Sequence, residues 1–399
     1  MGWRDTTACR STRCAARAAF DRLVAFALDE AVDFLVIAGD LFDGDWKDMG
    51  TGVYFARQMG RLAQAGIPAF VIAGNHDAAA VITRSVPWPE TVKVFGHRKA
   101  ETYRLDDLGV AVHGQSFATQ HVYDDLAQGY PSPEPGMFNL GLLHTSLGGY
   151  DGHAPYAPCT VAALQAKGYD YWALGHVHDF QVVAERPPVV FSGNLQGRNI
   201  RETGAKGAVL VEVRDRTFVS LEHIPLDVVR WARAEADCTG AATVEAVHAE
   251  IRRALAETHA GAADGRPLVA RLVLQGETSV AGVLRDRAAA LQEEARAVAA
   301  AVAPDLWLEK LVLDVRAPTV APLDDAAPDE FLAVLSEAAA SPELAALLAE
   351  DLTPFVTAHP RPEEADAAGL AASAAGEDWS ALVLAAAETL PARLAPGRG

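Results

Sequence analysis

Four short cassettes hold the densest clusters of metal-binding side chains in this sequence: Gly39-Asp40-Leu41-Phe42-Asp43, Gly74-Asn75-His76-Asp77, Leu142-Leu143-His144-Thr145 and Gly175-His176-Val177-His178. Carboxylate, amide and imidazole donors of this kind can hold two divalent cations close together, an arrangement that activates water against a phosphate ester. Asp40 is the natural bridging ligand, since a carboxylate offers an oxygen to each cation. Asn75 supplies a neutral carbonyl oxygen, and His144, His176 and His178 supply ring nitrogens. An oxygen and nitrogen set without thiolate suits Mn first, with Fe, Zn or Mg as alternatives, and disfavours Cu and Ca. His176 and His178 are two residues apart, so on an extended segment both rings point the same way, one toward each cation. His76 is expected to face the leaving oxygen as a catalytic acid or a cationic stabiliser, with Asp77 orienting it. Asp43 is expected to support the ligands from outside.

The elements that must position these cassettes follow from periodicity. Phe20, Leu23, Val24, Ala27, Leu28 and Ala31 form the apolar stripe of a helix over 15–31. The apolar run 34–38 then reads as a strand covered on both faces and empties into Gly39-Asp40. A second helix over about 51–65 and a strand over 69–73 repeat the unit and empty into Gly74-Asn75. Open α/β sheets place ligands beyond the carboxyl ends of their strands, so Asp40 and Asn75 are expected side by side at one rim. Shorter strands are expected at 92–95, 110–113, 140–143, 171–174 and 189–191, with a hairpin over 208–213 and 217–221. The fold class is therefore α/β, a layered sandwich of mixed β-sheets flanked by helices.

The domain expectation is a catalytic domain over 1–225, a small α+β capping domain over 226–320 without ligand cassettes, and an acidic, Ala-rich helical tail over 321–399. The net charge of −19 argues against a polyanionic partner until its distribution is considered. From Pro322 onward 14 acidic residues face 3 arginines, so the first 321 residues carry only −8. Cys9, Cys14, Cys159 and Cys238 show no Cys-x-x-Cys spacing, which fits a reducing cytoplasm. The sequence shows no long apolar span, so no membrane association is expected.

In order and wording, the cassettes resemble the calcineurin-like metallophosphoesterases over about 15–225. The stretches Gly39 to Asp43, Tyr169 to His178 and Ser192 to Glu202 more narrowly resemble the DNA repair exonuclease branch, the SbcD-like and Mre-type nucleases. The resemblance implies Asp40 as bridging ligand, Asn75, His144 and His176 on one metal, His178 on the other, and His76 beside the leaving group. It further implies two-metal hydrolysis of DNA phosphodiesters, a partner resembling the SbcC-like coiled-coil ATPase, and a homodimer. Arg198, Arg201 and Lys206 are candidate phosphate contacts, as is Lys47 beside Trp46, and His153 is a candidate site-lining residue. A small-molecule phosphatase or phosphodiesterase, or a non-catalytic scaffold for the ATPase, are the competing expectations.

One family feature has no counterpart. The family begins with a strand ending in Asp-x-His, which completes one metal's shell, and no Asp-x-His pair occurs upstream of Asp40. A misplaced start or frameshift is the expected origin. As written, one cation keeps Asp40, Asn75, His144 and His176, while the other keeps Asp40 and His178. One cation is thus expected to bind well and the other poorly, with weakened hydrolysis.

Overall fold

The computed structural model describes residues 7–41, 49–79, 88–148 and 156–318, with scattered positions between 337 and 350. It begins with helix α1 (Thr7–Asp29), which starts earlier than its apolar stripe predicts and buries Phe20, Leu23, Val24 and Ala27. The helix ends with Ala31 in the left-handed region, φ 48°, and the Val32 N–H donates to the Ala27 carbonyl. This pattern satisfies carbonyls that a helix end leaves open. The chain then enters β1 (Leu35–Ile37), α2 (Met49–Gln64), β2 (Ala69–Val71), the short α3 (Asn75–Ala79) and β3 (Val92–Val94). β1, β2 and β3 form a parallel three-stranded sheet in that order.

A second sheet has six strands in the order β4-β5-β6-β7-β9-β8. They are β4 (Glu101–Leu105), β5 (Val110–Gly114), β6 (Phe138–His144), β7 (Tyr171–Gly175), β8 (Gln181–Glu185) and β9 (Pro188–Phe191), with α4 (Val161–Ala166) leading into β7. The four inner strands are mutually parallel and β4 and β8 run antiparallel at the edges. The inner strands read as apolar runs, and those were expected from the sequence. The edge strands Glu-Thr-Tyr-Arg-Leu and Gln-Val-Val-Ala-Glu were not expected, because edge strands carry polar and charged residues that blur the pattern.

Three apolar cores show the layering. Helices α1 and α2 pack on one face of the first sheet through Leu23, Val24, Phe55, Met59 and Leu62. Between the sheets lie Phe70, Ile72, Phe95, Val112, Leu140, Leu142 and Val190. Outside the second sheet, Leu164 of α4 packs with Leu143, Trp172 and Phe191. The result is a helix, sheet, sheet, helix sandwich, as the residue pattern required.

The hairpin β10 (Gly207–Arg214) and β11 (Thr217–Pro225) forms its own two-stranded sheet. Its side chains alternate between the same cores as those of β1. Ala208 and Ile224 join Leu35 and Ile37 on the helix side, while Val209, Val211 and Val213 join Phe34, Val36 and Ala38 between the sheets. The hairpin and β1 thus share both faces of one layer, yet no hydrogen-bonded ladder joins them among the described residues. All three β1 residues remain only partly buried, in contrast to the fully buried β2.

The structure divides into two compact units, 1–232 with 262–269, and 233–261 with 270–399. Most of a three-stranded sheet of β12 (Arg230–Asp237), β13 (Leu268–Glu277) and β14 (Leu306–Arg316), in that order, belongs to the second unit. Its helices are α5 (Val244–Ala262), α6 (Ala281–Asp286) and α7 (Ala288–Val302). Leu291, Ala295 and Ala299 form the buried stripe of α7. No described helix is long and apolar enough to cross a membrane. In the acidic tail, Ser341 Oγ accepts from the Leu344 N–H at 3.4 Å, the bond by which a serine caps a helix start.

Candidate metal centre

The site is built where strand ends of the two sheets meet. Parallel register places His144, the last residue of β6, opposite Gly175 of β7, so His176 follows one step beyond. On the other sheet Ile37 lies opposite Val71, so Gly39-Asp40 and Gly74-Asn75 emerge together. The junction is closed by His144, whose Nδ1–H donates to the Ala38 carbonyl at 2.8 Å.

That bond decides the chemistry of the ring. With Nδ1 carrying the proton, a neutral imidazole presents a lone pair at Nε2. His144 Nε2 faces Asn75 Oδ1 at 2.9 Å and Asp40 Oδ2 at 3.4 Å. The donor atoms of Asp40, His144 and His176 all lie within 4.8 Å of one another. Lone pairs of two imidazoles, a carboxylate and an amide thus converge on one place, with His144 fully buried. A divalent cation satisfies all four, and the donor set suits Mn, Fe or Zn. The residues present fit a metal.

The backbone is bent to achieve this. Asp40 has φ 54° and His176 has φ 101°. For His176 that conformation costs about 1–3 kcal/mol, and such strain concentrates at functional positions. It also corrects the sequence-based reading of His176-Val177-His178 as an extended pair. His176 is not extended, so period-two alternation does not apply. His176 joins the Asp40 and His144 group, whereas His178 lies outside it, with Nδ1 on Glu202 Oε1 at 2.7 Å.

Asp77 is nearly fully buried, and its Oδ2 accepts from the N–H groups of both Leu41 and Gly74, at 3.1 and 3.0 Å. It therefore pins the first two cassettes together. His76, the second residue of α3, is half-buried, and its N–H donates to Asp40 Oδ1 at 3.0 Å. Phe117 meets His144 edge-on at 5.2 Å, and Tyr156 meets His176 at 5.4 Å. No sequence spacing pointed to either aromatic.

Lys206 requires a second correction. It is 3% exposed, and its ammonium is committed to Asp179 and to the His178 carbonyl, so it is not a free phosphate contact. Arg198 and Arg201 are exposed on the loop that carries Glu202. Burial pushes the Glu202 carboxyl up, but hydrogen bonds from His178 and the Arg198 N–H, with the Arg198 charge, outweigh it and hold it down at about 2. Glu202 stood inside a motif in the sequence but carried no role there. Asp43, His153, Lys47 and Trp46 lie outside the described residues.

Gly74 is fixed by close approach. A Cβ there would lie 2.6 Å from His144 Cε1 and 2.8 Å from the Asp40 nitrogen. Gly74→Ala is therefore expected to displace both ligands and weaken Mn²⁺ binding by at least about tenfold, the lower end of what disturbed ligand support costs. Overpacking adds about 1–3 kcal/mol of destabilisation. A Mn²⁺ titration beside a thermal melt checks this, and wild-type affinity in the variant would refute the packing argument.

Comparison with known proteins adds independent findings. Residues 13–180 match the family model described as calcineurin-like phosphoesterase, and residues 231–316 match that of the metallophosphoesterase YhaO middle domain. An uncharacterized metallophosphoesterase, YhaO of Bacillus subtilis, is 35% identical over 278 residues, covering 67% of this chain and 67% of that protein. The DNA double-strand break repair protein Mre11 of Sulfurisphaera tokodaii is 26% identical over 228 residues, covering 52% of this chain and 56% of that protein. The crystal structure of TT1561 of Thermus thermophilus aligns at 16% identity with a TM-score of 0.31, over 51% of this chain and 92% of its own.

Proposed function

Because this chain belongs to the calcineurin-like metallophosphoesterases, we propose that it is a metal-dependent phosphodiesterase acting on DNA, of the repair exonuclease type. The observation that carries the hydrolytic reading is the convergence of Asp40, Asn75, His144 and His176 donors on one place. The DNA assignment is supported by the motifs Tyr169 to His178 and Ser192 to Glu202, and by the likeness to a protein named for double-strand break repair. A coiled-coil ATPase partner, a homodimer and a cytoplasmic location belong to the same proposal.

When bound, divalent cations polarise the phosphate and supply a water acidic enough to attack at neutral pH. The remaining work falls to the chain. Asp40 spends Oδ1 on the His76 N–H and turns Oδ2 toward His144, so one carboxylate orients both the cation cradle and the residue assigned to the leaving group. His76 then donates a proton to, or stabilises charge on, the departing oxygen. Asp77 keeps the Asp40 and Asn75 turns in register. Arg198 and Arg201, exposed beside the site loop, are assigned to the substrate backbone.

Labelled duplex DNA and a chromogenic phosphodiester, each with Mn²⁺, separate the readings. The expected result is metal-dependent loss of DNA, abolished by Asp40→Asn and strongly reduced by His76→Ala. Turnover of the chromogenic diester without DNA degradation would instead assign a small-molecule phosphodiesterase. Cleavage of neither substrate, together with retention of an ATPase partner, would assign a scaffold.

A further inference from the structure

We infer that Glu202 is a positioning residue that fixes the tautomer and the orientation of His178, so that Nε2 is the electron-pair donor this ring offers to a cation. The inference rests on the metal-dependent reading above and deepens it.

An ionised carboxylate only accepts hydrogen bonds, so the 2.7 Å contact between His178 Nδ1 and Glu202 Oε1 requires the ring proton on Nδ1. Glu202 is itself immobilised. It is 7% exposed, and its other oxygen accepts from the Arg198 N–H at 2.7 Å and from Asn194 Nδ2 at 3.1 Å. The same loop grips the His178 backbone: its carbonyl accepts from the Asn194 N–H and from Lys206 Nζ, each at 3.1 Å. Gly193 permits this approach, with φ 75° and a position where a Cβ would lie 2.9 Å from the His178 oxygen. Ring and backbone of one histidine are thus held by one loop, from Gly193 to Lys206.

His144 is oriented by a similar device with a different charge. Its Nδ1 partner is the neutral Ala38 carbonyl, whereas that of His178 is an anion. An anionic partner raises the basicity of the opposite nitrogen. The difference matters because His144 belongs to a four-donor group, whereas His178 lies outside it and has, among the described residues, only Asp40 assigned beside it.

Two measurements on the full chain test this. Histidine ¹⁵N spectra of the metal-free protein, at a pH where the ring is neutral, are expected to show His178 as the Nδ1–H tautomer in the wild type. Glu202→Ala should release it to a mixture of tautomers, while Glu202→Gln, which keeps an acceptor oxygen, should retain much of the wild-type signature. In a Mn²⁺ titration, Glu202→Ala should weaken the looser class of sites by about 10–100-fold and leave the tighter class unchanged. The tighter class, with Asp40, Asn75 and His144 on other segments, reports whether the variant has folded. An unaltered tautomer in Glu202→Ala overturns the inference. So does an unaltered looser class when His178→Ala removes it. If His178→Ala changes neither class, the assignment of His178 as a ligand fails, and the inference fails with it.

Discussion

Loaded with excess Mn²⁺ and passed over a desalting column, the 399-residue chain will keep one ion per polypeptide rather than two. The expectation follows from the donor inventory. Asp40, Asn75, His144 and His176 offer four donors to one cation, and His144 Nε2 already faces two of the oxygens at 2.9 and 3.4 Å. Among the described residues only Asp40 and His178 are assigned to the other cation, and His178 lies outside the converged group. Elemental mass analysis is the direct check. Asp40→Ala or His144→Ala should bring the metal content to background, a larger loss than the roughly 10–100-fold that outer partners contribute. His178→Ala should leave the retained ion in place. At free Mn²⁺ a hundred times its Kd, the bound ion should stabilise the fold by about 2.7 kcal/mol, readable as a melting shift reversed by a chelator. Two tightly held ions per chain would sink this account.

The second large effect concerns the layer shared by β1 and the β10–β11 hairpin. Their side chains alternate into the same two cores, yet no ladder connects them among the described residues. Strand edges that are apolar on both faces and unpaired are templates for another strand. An apolar strand ending in Asp-x-His, added by design ahead of α1, is expected to pair there and bring a carboxylate and an imidazole to the rim that carries Asp40. DNA hydrolysis should then rise by at least about a hundredfold, the scale set by one preorganised electrostatic group at a reaction centre. The retained metal should rise to two ions per chain. A control strand ending in Asn-x-Ala should add stability without adding metal or turnover. If the Asp-x-His strand raised neither metal content nor hydrolysis, the argument from the shared layer would be refuted.

Much of the fold was legible because its strongest signals are local. The stripe from Phe20 to Ala27 and the runs at 34–38 and 69–73 each announce an element through their own spacing, and the structure places helices and strands there. β4 and β8 were missed because sheet edges tolerate the polar residues that hide a strand. The start of α1 at Thr7 was missed because no apolar periodicity marks that part of the helix.

At the site, the sequence singled out Asp40, Asn75, His144 and His176 through residue type and through their place after apolar runs. The tertiary structure brought those four together, which no spacing along the chain could do for residues as far apart as 40 and 176. It left His178 outside that group, as its assignment to the other cation anticipates, and gave His176 a positive φ where an extended segment was expected. It converted Lys206 from a candidate phosphate contact into a buried strut and gave Glu202 a partner 24 residues away. The sequence alone determined which donors exist and on which strand ends they stand, since both are properties of short segments. Which lone pairs converge, and which ring nitrogen carries the proton, was decided only by packing one sheet against another, since hydrogen bonds and close approaches depend on distances between segments remote in the chain.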